Sequence, residues 1–189
     1  MGKEQDSTYY NEIYNSSEKY YRDANDIPIY FEIWNAARSY IDINAIKNIV
    51  DLGCGPGHFP SILNDDVSYI GYDFSEIAIK QARSRNINMT NVKFIHCNLD
   101  MYKHDNTCKF YTSFEFLEHI SFDLELIESL NTGDSIVFSV PNHDAAGHVR
   151  FFLSENDIEL RYGDLLNLSH LHTVTYGSNK IFLYHGERK

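Results

Sequence analysis

A chain of 189 residues with 43% hydrophobic and 23% charged residues can bury a core of its own, and no apolar run approaches the ~20 residues of a membrane span. The formal net charge of −11 opposes a phosphate backbone, whose binders draw affinity from Lys and Arg, so a nucleic-acid partner is disfavoured. Three scattered cysteines (Cys54, Cys97, Cys108) fit neither a disulfide framework nor a zinc cluster, and the polar start Met1–Asp6 lacks a secretory h-region; a cytoplasmic location is expected.

Residues 1 to 26 are polar and rich in tyrosine (Tyr9, Tyr10, Tyr14, Tyr20, Tyr21) and read as short helical pieces. After Pro28, the residues Tyr30, Ile33, Trp34, Ala37 and Ile41 recur at helical spacing and predict an amphipathic helix on a sheet face. Asn48–Leu52 reads as a buried strand running into a glycine-rich turn, with a helix at or just after it. Ser68–Asp73 is the second strand, Ser75 caps a helix to about Arg85, and Val92–Cys97 is the third strand. Lys109–Phe114 is a fourth strand, followed by a helix from near Glu115 to Leu130, and Asp134–Val140 is a fifth, ended by Pro141. Alternating strands and helices predict an α/β, doubly wound, mostly parallel sheet; Leu168–Tyr176 and Lys180–His185, joined by Gly177-Ser178-Asn179, predict a C-terminal antiparallel hairpin. One domain spanning 1–189 is expected, with an aromatic helical segment over 1–44, which the resemblance given below makes a lid, and the core over 45–189.

The segment Asp51-Leu52-Gly53-Cys54-Gly55-Pro56-Gly57 ends the first strand, where glycines let the chain turn sharply and let a nucleotide-like cofactor approach the backbone. Asp73, at the end of the next strand, is placed to accept hydrogen bonds from ribose hydroxyls. The nicotinamide fingerprint Gly-x-Gly-x-x-Gly fits less well, because the third glycine comes one residue early.

With these residues the chain resembles the class I, Rossmann-like S-adenosylmethionine-dependent methyltransferases over nearly its whole length, and the resemblance implies a seven-stranded sheet. It also implies that Asp51, Gly53, Cys54, Gly55 and Gly57 surround the methionine part of the cofactor, that Asp73 holds the ribose and that Phe74 flanks the adenine. Asn98 and Leu99 fall where the family often has Asp facing the adenine amine, and an Asn side chain can still accept that bond; a turn role for Asn98 stays open. Tyr14, Tyr20 and Tyr21 are the lid residues expected around the sulfonium, and Trp34 is expected in the core.

A second constellation follows the fourth strand. On a helix, Glu115, Glu118 and His119 would fall at i, i+3 and i+4 and share a face beside the same crevice. This Glu-x-x-Glu-His stretch resembles the O-methyltransferases of ubiquinone biosynthesis and the small-RNA 2′-O-methyltransferases, in which two Glu and two His bind a divalent ion. His148 is the matching fourth ligand and His143 the reserve. Three roles stay open for the set: binding Mg²⁺ or Mn²⁺ to activate a hydroxyl, metal-free general base catalysis, and a structural turn. Arg150 is read as meeting either an anionic substrate group or a surface carboxylate.

The N-terminal Tyr9-Tyr10-x-x-Ile13-Tyr14 stretch resembles the lid of small-molecule methyltransferases of polysaccharide and secondary-metabolite pathways, so the expected activity is methyl transfer to an oxygen of a small molecule, a sugar or surface-glycan precursor by this lid resemblance or a catechol-like phenol by the metal resemblance. RNA 2′-O-methylation stands behind it because of the acidic charge. A cofactor-binding partner subunit without turnover is the non-enzymatic alternative. No residue pattern assigns an oligomeric state.

Overall fold

The computed structural model describes residues 2–102 and 107–189; Met1 of the polar start lies outside the described residues. Seven strands form one sheet in the order β3-β2-β1-β4-β5-β7-β6, where β1 is Asn48–Leu52, β2 Ser68–Asp73, β3 Val92–His96, β4 Phe110–Phe114, β5 Ser135–Pro141, β6 Leu166–Tyr176 and β7 Asn179–Arg188. The first five are parallel to one another, and β7 runs antiparallel to both β5 and β6. The predicted hairpin is present with longer arms and a tighter turn, since Tyr176 already pairs with Asn179.

Side chains of a central strand alternate between two buried faces, so each face builds its own core. Val50, Tyr111, Ile136 and Phe138 point to one side, where Ile127, Ile158 and Tyr162 cover them from α4 (Asp123–Glu128) and α5 (Glu155–Tyr162). Ile49, Phe110 and Val137 point to the other, against Ile33, Ala37 and Ile41 of α2 (Pro28–Ile43) and Ile79 and Ala82 of α3 (Glu76–Arg85). The predicted spacing of α2 therefore faces the sheet. Tyr30 and Trp34, in its first two turns, are half-buried and line a cavity; Trp34 is not wholly a core residue.

Two predicted helices differ. After the glycine turn there is only a 3-10 turn, Phe59–Ile62: no side chain caps it, Leu63 is already extended, and the chain must enter β2 at Ser68. The helix expected over 115–130 shrinks to Asp123–Glu128. Glu115 has φ 48°, a left-handed backbone that starts no α-helix, and residues 115–122 form irregular turns.

At the N-terminus α1 (Ser7–Ser16) is capped by Asp6, which accepts from Tyr9 N–H at 3.0 Å. The segment then docks on α3. Asn11 Oδ1 accepts from Ser75 Oγ at 2.6 Å, Gln81 Nε2 donates to Tyr14 O at 2.9 Å, and Arg85 donates to Tyr20 O at 2.6 Å and Arg22 O at 2.9 Å. These bonds lay residues 7–22 across the carboxyl ends of β1 and β2.

Candidate active site

The strand order reverses between β1 and β4, and a crevice at such a switch point is where open α/β sheets bind ligands. A cavity of about 490 Å³ opens there. Its walls bring together Gly53, Cys54 and Gly55 of the glycine turn, Asp51, Asp73, Phe74, Asn98 and Leu99 with Tyr10, Tyr14 and Tyr20 from the N-terminal segment; Gly57, expected at the cofactor, lies behind the turn and outside the lining. They also include Glu115, Glu118, His119, His143 and His148.

The glycine turn is held by two amides, Gly53 N–H and Cys54 N–H, which both donate to Tyr72 O at 2.9 Å. Gly53 (φ 80°) and Gly57 (φ 72°) occupy left-handed conformations. A Cβ on Gly53 would clash with the Phe116 ring; one on Gly57 would meet Ala82 Cβ at 2.7 Å, where α3 packs on the turn. Gly57→Ala is therefore expected to cost about 3 kcal/mol, the sum of overpacking and left-handed strain. A lowered urea midpoint with an unchanged m value would show it.

Two buried carboxylates flank the turn. Asp73 accepts from Gly55 N–H at 2.9 Å and Ser75 N–H at 2.8 Å; burial nevertheless lifts its pKa to about 6. Asp51 is also lifted to about 6 by burial, opposed by bonds from Tyr69 Oη at 2.5 Å and Thr112 Oγ1 at 2.8 Å. Asn98 is exposed and its side-chain oxygen accepts from Asp100 N–H at 3.4 Å, closing a 3-10 turn, while Leu99 is buried. Cys54 lines the cavity and burial raises its thiol pKa well above the ordinary value.

The aromatic lining comes mostly from the N-terminal third. Tyr14 Oη lies 3.3 Å from where a Gly55 Cβ would stand, and its ring meets Tyr20 at 4.7 Å between centroids. Tyr21, expected at the cofactor, is 57% exposed, absent from the lining, and donates to Asn15 O at 3.3 Å. The 3-10 turn Glu18–Tyr21 turns Tyr20 inward and Tyr21 outward. Tyr30, Trp34 and His58 stack in series (5.9 and 5.5 Å), and burial lowers the His58 pKa to about 4. Neither Tyr10 nor His58 was singled out from sequence, because the contact that places each is with residues distant in the chain.

The second constellation is assembled by loops instead of a helix face. Ligating atoms of Glu118, His119 and His148 lie within 4.8 Å of one another, while Glu115 stands outside that group. The left-handed backbone turns Glu115 to β5, where its carboxylate accepts from Ser139 Oγ at 3.0 Å and its N–H donates to the same oxygen. Burial raises its pKa to about 7. Glu118 is 0% exposed, and among the described residues neither carboxylate oxygen has a hydrogen-bond partner. Burial, then the nearby Glu115, pushes its pKa well above the ordinary carboxylate value.

His119 Nδ1 is 3.1 Å from Gly147 O and 2.8 Å from Tyr10 Oη, and His148 Nδ1 is 3.1 Å from His143 O. A carbonyl only accepts, so with Gly147 O and His143 O as the acceptors the proton sits on Nδ1 of both rings and each Nε2 is left as an open lone pair; in that tautomer of His119 the Tyr10 hydroxyl accepts as well. His119 Nε2 lies 3.9 Å from Glu118 Oε1. Burial lowers both imidazole pKa values, that of His119 to about 4, so both rings are neutral near pH 7. His143, the reserve ligand, meets Tyr176 Oη at 3.5 Å and lines the cavity outside the three-residue group.

No helix among the described residues is long and apolar enough to cross a membrane. The chain resembles the N-methyltransferase NodS from Bradyrhizobium japonicum WM9 in complex with S-adenosyl-L-homocysteine (17% identity, TM-score 0.74, covering 97% of this chain and 99% of that one). It also resembles magnesium protoporphyrin IX methyltransferase (ChlM) from Synechocystis PCC 6803 with bound SAM (15% identity, TM-score 0.75, covering 98% of each chain). The YcgJ protein from Bacillus subtilis is a third such structure (13% identity, TM-score 0.69, covering 84% of this chain and 99% of that one). At these identities the likeness shows the fold. No curated protein sequence matches the chain. The family model described as a methyltransferase domain matches residues 43–145, from the end of α2 through β5 and so across the glycine turn, Asp73 and Glu115–His119. The chain therefore belongs to the methyltransferase domain family, as an S-adenosylmethionine-dependent enzyme of its Rossmann-like class.

Proposed function

We propose that the chain methylates a hydroxyl oxygen of a small molecule, with residues 1–44 acting as a lid over 45–189. The observation that carries this reading is the Glu118–His119–His148 group in the wall of the same cavity as the glycine turn and Asp73. S-adenosylmethionine, when bound, supplies an electrophilic methyl on a sulfonium. The buried carboxylate of Asp73, with lone pairs to spare beyond its two amide bonds, suits the ribose; Tyr14 and Tyr20 suit the sulfonium side. On the acceptor side, Nε2 of His119 is a neutral lone pair able to take the hydroxyl proton, and Glu118 beside it balances the imidazolium. The N-terminal segment, held by Gln81 and Arg85, excludes water from the cavity. Among the described residues Lys19 is the only Lys or Arg of the lining, against Glu4, Glu115 and Glu118; this favours a neutral hydroxyl compound over a phosphate-bearing or RNA acceptor.

A metal-assisted form of the same reaction is supported by the donor set itself. A carboxylate with two unpartnered oxygens and two neutral imidazoles, each with Nδ1 tied to a carbonyl, is the arrangement that outer-shell bonds give to divalent-ion ligands. Mg²⁺ or Mn²⁺ held by Glu118, His119 and His148 would lower the pKa of an acceptor hydroxyl.

Incubating the chain with labelled S-adenosylmethionine and panels of sugars, phenols, amines and RNA tests the assignment. Label is expected on a hydroxyl compound; preferential transfer to an amine or to RNA would replace it. Removal of divalent ions by EDTA separates the two forms: transfer lost in EDTA and restored by Mn²⁺ would establish the metal-assisted one. Full activity in EDTA would leave His119 as a metal-free base.

A further inference from the structure

The three residues of the acceptor-side group come from two segments without regular structure, 115–122 and 142–152, and something must hold those segments in one arrangement. We infer that Arg150 is the positioning residue that fixes Glu118, His119 and His148 relative to one another. This rests on the reading of that group as the working site.

The guanidinium is shared between two tasks. Nη1 donates to Leu117 O and, at 2.5 Å, to Ile120 O, which are the carbonyls on either side of the Glu118–His119 pair. Nη2 meets Asp123 Oδ1 at 3.0 Å. Asp123 is 0% exposed and is held in turn by Arg161 at 2.7 and 2.9 Å and by Tyr162 Oη at 2.9 Å, so the anchor sits at the start of α4, next to α5. The main chain beside Arg150 adds a further tie, Val149 N–H to Glu118 O at 2.8 Å. Because His148 is two residues before Arg150, one side chain fastens the loop of Glu118 and His119 to the loop of His148. A planar fork with several fixed donors can bridge two carbonyls and a carboxylate at once, which a lysine ammonium on a flexible stem cannot match. The positive charge also stays away from the acceptor: Arg150 is absent from the cavity lining, so it meets neither an anionic substrate group nor a surface carboxylate.

The test uses the full chain with Arg150→Ala, Arg150→Lys and Arg161→Ala, the last removing an equally close partner of Asp123 that touches neither loop carbonyl. In EDTA, long-range ¹H–¹⁵N spectra of the unsubstituted chain are expected to show His119 and His148 each as one Nδ1–H tautomer. Arg150→Ala should average both signals, Arg150→Lys should do so in part, and Arg161→Ala should leave them unchanged. S-adenosylhomocysteine binding should stay within about threefold throughout, and millimolar guanidinium should restore the Arg150→Ala spectrum. Where an acceptor is in hand, kcat should fall at least about 30-fold in Arg150→Ala with little change in the KM for S-adenosylmethionine, a loss confined to the chemical step. Unchanged imidazole signals in Arg150→Ala would overturn the inference. So would equal averaging in Arg161→Ala, or cofactor binding lost in step with the signals. If Arg150→Ala does not fold, Arg150→Lys decides by the same criteria. The spectra need no turnover, so absence of methyl transfer to every acceptor would count against the proposed function and leave this result standing by itself.

Discussion

Glu118→Met is expected to make the ligand-free chain more stable and its chemistry absent. Glu118 is fully buried with both oxygens unpartnered among the described residues, and an uncompensated polar group in that state costs about 2 kcal/mol. Met has a similar reach and no such demand. For a domain of this size a gain of about 2 kcal/mol raises Tm by roughly 4–8 °C. The sign of the pH dependence follows from the raised pKa. The folded chain holds the Glu118 proton more tightly than the unfolded chain does, so this group's contribution is present below the ordinary carboxylate pKa of 4.5 and is lost as pH rises through the folded value. The advantage of the Met variant should therefore widen from pH 5 to pH 8 in thermal unfolding. Methyl transfer should fall by roughly 10²–10⁴, the range for loss of acid–base assistance. A lower Tm at pH 8 would mean that the carboxylate is satisfied by something other than a ligand.

Asp73→Asn should weaken S-adenosylhomocysteine binding by roughly 10²-fold. Each hydrogen bond to an ionised group contributes about 1.5–3 kcal/mol, and exchanging the anion for an amide removes one acceptor oxygen and all of the charge. The side chain stays the same size, so Ser75 N–H keeps a partner and the fold should persist. Since the Asp73 carboxyl has a pKa of about 6, the unsubstituted chain should itself lose affinity, by up to about tenfold per unit, as pH falls below 6 and the acceptor is protonated. The Asn variant should show a flatter profile, with a remainder from Asp51, also raised to about 6. Calorimetric titration between pH 5 and 7.5 measures both. Equal affinities for the two proteins at pH 7.5 would remove Asp73 from the cofactor site.

The strands and the glycine turn were readable because their signals are local. Ile49-Val50-Asp51-Leu52 is a short buried run ending in three glycines, and each neighbour in the sheet repeats that pattern of apolar run and turn. The hairpin was readable for the same reason. Helix lengths after β1 and β4 were not. Phe59–Leu63 and Phe116–Ile120 have apolar residues at spacings a helix could use, yet the extended Leu63 ends the one and the left-handed Glu115 precedes the other. The site inherits that difference. Glu118 and His119 were singled out by a helical spacing, but they meet His148 because of Arg150 and Val149, contacts made across about 30 residues of chain. Glu115 fits the same spacing and is drawn to Ser139 instead. Tyr20 and Tyr21 are adjacent and chemically equal, and only the 3-10 turn decides which one reaches the cavity.

Apart from the Asn11 side chain on Ser75, the N-terminal segment is gripped on α3 and the glycine turn through its main chain. Gln81 binds the carbonyl of Tyr14, Arg85 those of Tyr20 and Arg22, and His58 Nε2 meets the Arg22 carbonyl again at 3.1 Å. Carbonyls are the same whatever side chain they carry, so the tyrosines and Lys19 can be exchanged without loosening these fastenings. The lining that residues 9 to 20 present to the cavity can therefore be altered, by descent or by design, at every position but Asn11, whose side chain is itself a fastening to Ser75, while Gln81, Arg85 and the sheet beneath stay as they are.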